Sequence, residues 1–122
     1  MFQSFKISVG TAIQGNFETF KPLKRMSDRE IQARKFVVRG RVQGVGFRWF
    51  VEREAHLLKI AGWVRNNHDG SVEVLAMGTR DQLSGLRSRL QQGPRAARVD
   101  DVREVEAKPV AGLTTFRIEG AW

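Results

Sequence analysis

The spacing of hydrophobic residues changes several times along the chain, and each change predicts a different element of secondary structure. From Lys35, the segment F-V-V-R-G-R-V is rich in β-branched and aromatic residues, which predicts a first strand. Residues 48–59 are predicted to form a helix, because apolar side chains at intervals of three or four line one helical face. These apolar positions are Phe47, Val51, Ala55 and Leu58.

The next segments predict a hairpin and a second helix. Residues 60–66 and 71–77 have the composition and alternation of strands, and the turn sequence H-D-G-S lies between them. Thr79 and Gln82 are spaced as a capping box, which marks the start of a helix, and the pair G-P then ends it. Two paired strands followed by a second helix are therefore expected.

The last part of the chain predicts one irregular strand and one short strand. The valines of residues 99–107 are three apart, which departs from the two-residue period and predicts a strand with a bulge or an irregular edge. Phe116 and Ile118 flank a single arginine and suggest a short final strand. The order strand, helix, strand, strand, helix, strand predicts an α+β fold, the ferredoxin-like split βαβ sandwich (βαββαβ), with an antiparallel sheet and two helices on one face.

The chain of 122 residues fits one domain, which we place at residues 35–122. Residues 1–34 show no sustained hydrophobic period, and they are interpreted as an N-terminal extension. One hypothesis is that Met26 is the true start of the protein and that the earlier residues are an upstream extension. No structure is predicted for this part of the chain.

Composition narrows the possible functions. The chain has no cysteine, which excludes disulfides, thiolate catalysis and cysteine-based zinc or iron–sulfur sites. It has no apolar run long enough to cross a bilayer and no secretory signal, so we expect a cytoplasmic protein without a membrane partner. The net charge of +8 favours anionic partners, either nucleic acid or small phosphorylated ligands, and charge alone does not choose between them.

The segment G-R-V-Q-G-V-G-F-R, residues 40–48, lies between the first strand and the first helix. A loop that leads into a helix presents unpaired N–H groups, and Gly44 and Gly46 allow its backbone to curl around an anion. Arg48 adds a planar cation that matches phosphate oxygens two at a time. The loop therefore predicts a phosphate site. The same sequence would also fit a tight turn whose glycines serve only the turn and whose Arg48 is solvated. The segment lacks the ending of a P-loop and the acidic residue of a dinucleotide site.

This segment, followed by G-W-V-R-N and then D-G-S-V-E-V, resembles the acylphosphatase family from about Lys35 to Ile118. The resemblance implies hydrolysis of the carboxyl–phosphate bond of acyl phosphates to a carboxylate and inorganic phosphate, with no metal and no cofactor. It implies that Arg48 binds the phosphoryl group and that Asn66 orients the attacking water. It also implies substrate binding by the backbone amides of Gln43, Gly44, Val45, Gly46 and Phe47.

The chemistry of the reaction agrees with this interpretation. An acyl phosphate already has a good carboxylate leaving group, so positioning and charge stabilisation are sufficient for its hydrolysis. Preorganised amides and a guanidinium can stabilise the charge that spreads over the phosphoryl oxygens. The amide of Asn66 can accept a hydrogen bond from water and aim it, although it is too weakly basic to remove a proton.

Three alternatives compete with a small-molecule hydrolase. An RNA-binding module would place its aromatic residues on the third strand, whereas the segment G-V-G-F-R-W-F-V runs from the first loop into a helix, so no nucleic-acid partner is expected. A domain of a larger carbamoyl-transferring protein is disfavoured by the length and the absence of cysteine. A module that only senses phosphate stays open. We expect a monomer, with inorganic phosphate or sulfate as competing anions.

Overall fold

The computed structural model describes residues 29–120 of the chain. Every strand and helix named here belongs to the unit Ile31–Trp122. The hypothesis about Met26 and most of the predicted extension, residues 1–34, lie outside the described residues. The elements are β1 (Gln32–Arg41), α1 (Phe47–Leu57), β2 (Ala61–Asn66), β3 (Val72–Gly78), α2 (Arg80–Gln92), β4 (Arg98–Ala107) and β5 (Phe116–Ile118).

The five strands form one sheet in the order β4, β1, β3, β2, β5. The first four in this order pair antiparallel, as predicted. β5 instead pairs parallel with β2, with Gly62 opposite Phe116 and Val64 opposite Ile118. The prediction of an antiparallel sheet was therefore wrong at this edge, and the sheet is mixed. Alternation along the sequence identifies a strand, but it carries no information about the direction of its partner.

The irregular spacing of the valines in β4 corresponds to a bulge. Val102 lies opposite Val38 and Val99 lies opposite Gly40, so the intervening segment of β4 has one residue more than β1. The extra residue brings Val99 and Val102 onto the same side, where both pack against the core. The predicted bulge is thus confirmed, and a side chain at Gly40 would collide with the bulged backbone, 2.2 Å from the Arg98 carbonyl oxygen.

Both helices and one face of the sheet share a single core. Alternate residues of the central strands point to this face, including Phe36 and Val38 of β1 and Val74 of β3. The three leucines of α2 are buried there together with the apolar stripe of α1. The completely or nearly completely buried helical residues are Phe47, Val51, Ala55, Leu83, Leu86 and Leu90. Two helices therefore pack on one face of the sheet.

The ends of the helices follow from local chemistry. The predicted capping box at α2 is confirmed: the Gln82 N–H donates to Thr79 Oγ1 at 3.2 Å, and the Thr79 N–H donates to Gln82 Oε1 at 2.8 Å. α1 ends where Lys59 takes a φ of 60°, and the Ile60 N–H donates back to the Ala55 carbonyl at 2.9 Å. Between residues 29 and 120, no helix has the length and apolar character needed to span a bilayer.

Candidate active site

A cavity of about 600 Å³ opens where the loop between β1 and α1 faces the end of β2. It brings together Arg48 and Asn66, which belong to separate blocks of the sequence. Val45 does not line the cavity with its side chain, because that side chain is partly buried against the core. The lining residues are Val42, Gln43, Gly44, Gly46, Phe47, Arg48, Trp49 and Asn66.

The two glycines give the loop its curvature. Gly44 has a φ of 73° and Gly46 a φ of 77°, a left-handed conformation that side-chain-bearing residues adopt at a cost. A Cβ atom at either position would have no atom within 4 Å, so the requirement for glycine concerns backbone conformation rather than space. The glycines therefore allow the loop to curl, which is the backbone shape that can surround an anion.

Gly46 is also the N-cap of α1, and it offers no side chain to the helix. The Phe50 N–H makes the first return bond, to the Gly46 carbonyl at 3.1 Å. The N–H groups before it have no carbonyl of the helix to bind, and the first turn carries no acidic side chain. This end of α1 consequently has the positive potential and the donors that suit an anion.

The guanidinium of Arg48 is positioned by the C-terminal part of the chain. Its Nη1 atom donates to the carbonyl oxygen of Glu119 at 3.5 Å, and the Glu119 N–H donates to the Val64 carbonyl at 2.8 Å. This contact occupies one of the five N–H donors of the side chain. Sequence reasoning missed the role of Glu119, because a backbone carbonyl leaves no signal in the letters of the sequence.

Asn66 is the last residue of β2 and lies opposite Val72 of β3. It follows Val64 by two positions, so its side chain projects on the same face of the sheet as the buried Val64. The Oδ1 atom of Asn66 is buried. The end of a well-paired strand thus fixes the side-chain amide at the wall of the cavity.

Gln43 connects the loop to the hairpin that follows Asn66. Its Nε2 atom donates two hydrogen bonds, to the carbonyl oxygen of Asn67 at 2.8 Å and to that of Ser71 at 2.9 Å. The sequence predicted only a backbone contribution from Gln43, so this side-chain contact was missed. Its consequence is that the loop and the strand end carrying Asn66 are held together by one side chain.

The hairpin between β2 and β3 is further ordered by Asp69. The Asp69 Oδ1 atom accepts hydrogen bonds from the Ser71 backbone N–H at 2.9 Å and from its hydroxyl at 2.6 Å. Arg39 lies 3.1 Å from the other carboxylate oxygen. These bonds to Ser71, with the smaller contribution of Arg39, lower the pKa of Asp69 from its ordinary value of 3.8 to about 2.

Titratable side chains in the rest of the described chain form no obvious metal site. No group of three or more histidine, aspartate or glutamate side chains lies close enough to hold a metal ion among residues 29–120. The Nε2 atom of His56 lies 3.1 Å from the Phe116 carbonyl, where it contacts β5. Arg48 and the backbone amides of the loop are groups in this cavity that can interact with an anion.

Comparisons with known proteins agree on one family. The sequence model of the acylphosphatase family matches residues 34–118. An acylphosphatase of Koribacter versatilis is 57% identical over 91 residues, which cover 75% of this chain and 83% of that protein. The crystal structure of acylphosphatase from Bacillus subtilis matches with a TM-score of 0.70 and 38% identity, covering 75% of this chain and 100% of that chain. The crystal structure of full-length HypF in the phosphate- and nucleotide-bound form matches with a TM-score of 0.69 and 29% identity, covering 12% of that chain. The chain therefore belongs to the acylphosphatase family.

Proposed function

We propose that the cavity between the glycine loop and Asn66 is the active site in which this hydrolase cleaves the carboxyl–phosphate bond of acyl phosphates. The observation that carries the proposal is that Arg48, the curved loop and Asn66 line one cavity. The products are a carboxylate and inorganic phosphate. Family membership supplies the reaction, and the geometry of the cavity suggests a role for each residue.

The phosphoryl group binds to the loop. Backbone N–H groups of residues 43–47 and the positive end of α1 surround its oxygens, while the guanidinium of Arg48 pairs with two of them. The guanidinium already lines the cavity beside the loop, with a long contact of 3.5 Å to the Glu119 carbonyl, so these donors need little rearrangement before the reaction. They stabilise the charge that spreads over the equatorial oxygens in the transition state.

Water attacks the phosphorus atom on the side opposite the acyl oxygen. The side-chain amide of Asn66 hydrogen-bonds this water and orients it for attack, while the proton released passes to a phosphate oxygen or to solvent. The bond between phosphorus and the acyl oxygen breaks, and the electron pair leaves with the carboxylate. A carboxylate is a weak base, so its departure requires no general acid.

We propose that the reaction is independent of metal, because a guanidinium and oriented amides already supply the charge stabilisation. Purified protein should hydrolyse acetyl phosphate and benzoyl phosphate in the presence of EDTA well above the spontaneous rate. Inorganic phosphate and sulfate should inhibit competitively, since they occupy the same donors. A requirement for magnesium would contradict the mechanism, and binding of phosphate without turnover would indicate a module that only senses the anion.

We also propose that the fold is ferredoxin-like and that the protein is a cytoplasmic monomer. The order β4, β1, β3, β2, with two helices on one face, supports a ferredoxin-like arrangement to which β5 adds a parallel edge strand. A cytoplasmic monomer that binds small acyl phosphates, without nucleic acid or membrane partners, is consistent with this arrangement. Light scattering of the purified protein tests whether it is a monomer, and fractionation of cells tests whether it is cytoplasmic.

A further inference from the structure

Trp49 is the most exposed large side chain that lines the cavity. Its exposed fraction is 75%, whereas the neighbouring aromatic Phe47 is almost fully buried, at 1%. A tryptophan has a large apolar surface, and leaving most of that surface in water forgoes the stabilisation that its burial would give. Packing within the domain therefore does not account for the position of this side chain.

The size of the cavity leaves room for more than the phosphoryl group. A cavity of about 600 Å³ corresponds to roughly twenty waters at about 30 Å³ each, which is more space than the five heavy atoms of a phosphate ion need. The loop amides, Arg48 and Asn66 account for the phosphoryl end of the substrate under the proposed function. The remaining volume must accept the acyl group, which is attached directly to the phosphoryl oxygen.

The lining of the cavity is chemically divided in the same way. Trp49 contributes an exposed apolar side chain, whereas Arg48 and Asn66 contribute polar ones. Trp49 lines the same cavity as Arg48, the residue proposed to bind the phosphoryl group. A flat indole presents a large rigid face with few rotatable bonds, which suits contact with another flat or apolar group.

We propose that Trp49 is a specificity-determining residue that packs against the acyl group and favours aromatic acyl phosphates over small aliphatic ones. This inference rests on the proposed function and names the substrate class of that site. The ring contributes to binding of the acyl group and takes no part in bond breaking. Loss of the ring therefore lowers the preference for aromatic over aliphatic substrates and leaves the rate of the bond-breaking step unchanged.

The test compares two substrates on four proteins. The ratio of kcat/KM for benzoyl phosphate to kcat/KM for acetyl phosphate is measured for the unmodified protein, Trp49→Ala, Trp49→Phe and Leu57→Ala. Leu57 is a matched control, because it is 68% exposed on the same helix but does not line the cavity. Circular dichroism confirms folding, and the inhibition constant of inorganic phosphate reports on the loop.

We expect Trp49→Ala to lower the ratio about tenfold, which corresponds to about 1.4 kcal/mol, with the inhibition constant of phosphate unchanged. Trp49→Phe should keep most of the preference, and Leu57→Ala should keep all of it. An unchanged ratio in folded Trp49→Ala overturns the inference. Equal losses for both substrates, accompanied by weaker phosphate inhibition, also overturn it and show that Trp49 shapes the loop. Absence of turnover of either substrate by the unmodified protein refutes the proposed function itself.

Discussion

The side chain of Gln43 provides a direct test of how the two halves of the site are held together. Replacing Gln43 with leucine removes both hydrogen bonds to the carbonyl oxygens of Asn67 and Ser71 while keeping a side chain of similar length. The Ser71 carbonyl still accepts the Asn67 N–H at 2.9 Å, and the Asn67 carbonyl still accepts the Gly70 N–H at 3.2 Å, so each acceptor keeps one backbone partner. The hairpin should then separate from the loop more easily.

The magnitude follows from the two bonds. Each intramolecular hydrogen bond contributes about 1 kcal/mol, so the free energy of unfolding should fall by roughly 2 kcal/mol. For a domain of this size, 1 kcal/mol shifts Tm by about 4–8 °C, and the expected decrease is therefore on the order of 10 °C. Because Asn66 directly precedes the released hairpin, kcat should fall by about 10-fold or more, whereas Arg48 and the loop amides should still bind phosphate.

A second substitution and a control sharpen the assay. Gln43→Glu places a carboxylate, which has only acceptors when ionised, against two carbonyl oxygens and should be more damaging than Gln43→Leu. Gln91→Leu changes an exposed glutamine at the end of α2 and should leave both unfolding and turnover unchanged. Thermal unfolding, kcat and the inhibition constant of phosphate are measured on each. Unchanged Tm and kcat in Gln43→Leu would show that the two hydrogen bonds do not hold the site together.

Two further predictions concern the mechanism and the turn. Arg48→Lys should lose about 3 kcal/mol or more of transition-state stabilisation and also bind phosphate less tightly, whereas Asn66→Ala should lower kcat by about 100-fold with phosphate affinity retained. Steady-state kinetics and phosphate inhibition distinguish the two variants. Near-normal turnover in folded Asn66→Ala would show that Asn66 has no role in the mechanism. The folded-state pKa of Asp69 is lowered to about 2, so its charge stabilises the fold above pH 3.8, and this contribution is lost as the pH falls from 3.8 to about 2. Asp69→Asn should lose less stability across this window in acid unfolding titrations at constant ionic strength, and an identical loss would assign the acid sensitivity to other groups.

The sequence predicted those features of the fold that are determined by residues within one short segment. The capping box of α2 needs only Thr79 and Gln82, and the bulge of β4 follows from valines spaced by three. The curved loop could be predicted because its glycines must supply a left-handed backbone within the loop itself. Each of these features depends on residues that are close together in the sequence, and the resemblance to a family added that Arg48 and Asn66 act together.

Features that depend on contacts between distant segments could not be predicted. The direction of β5 is set by its pairing with β2, and the contact of Arg48 with the Glu119 carbonyl involves a backbone atom. The hydrogen bonds of the Gln43 side chain join residues 24 and 28 positions apart, and hydrophobic periodicity does not predict contacts at such separations. The sequence pattern likewise assigned no role to Trp49, because exposure is visible only once the domain is folded.

β2 is the element on which both halves of the site depend. It ends at Asn66, and its Val64 carbonyl accepts the N–H of Glu119, whose own carbonyl accepts from Arg48. The close pairing of β2 with β3 requires glycine at Gly62, because a Cβ atom there would lie 1.8 Å from the Leu75 carbonyl oxygen. In the block G-W-V-R-N, the glycine therefore allows β2 to pair closely with β3, and this pairing places the asparagine at the cavity. A shift of this one strand would displace the water-orienting amide and the support of the guanidinium together, which explains how a site assembled from three separate segments keeps its geometry.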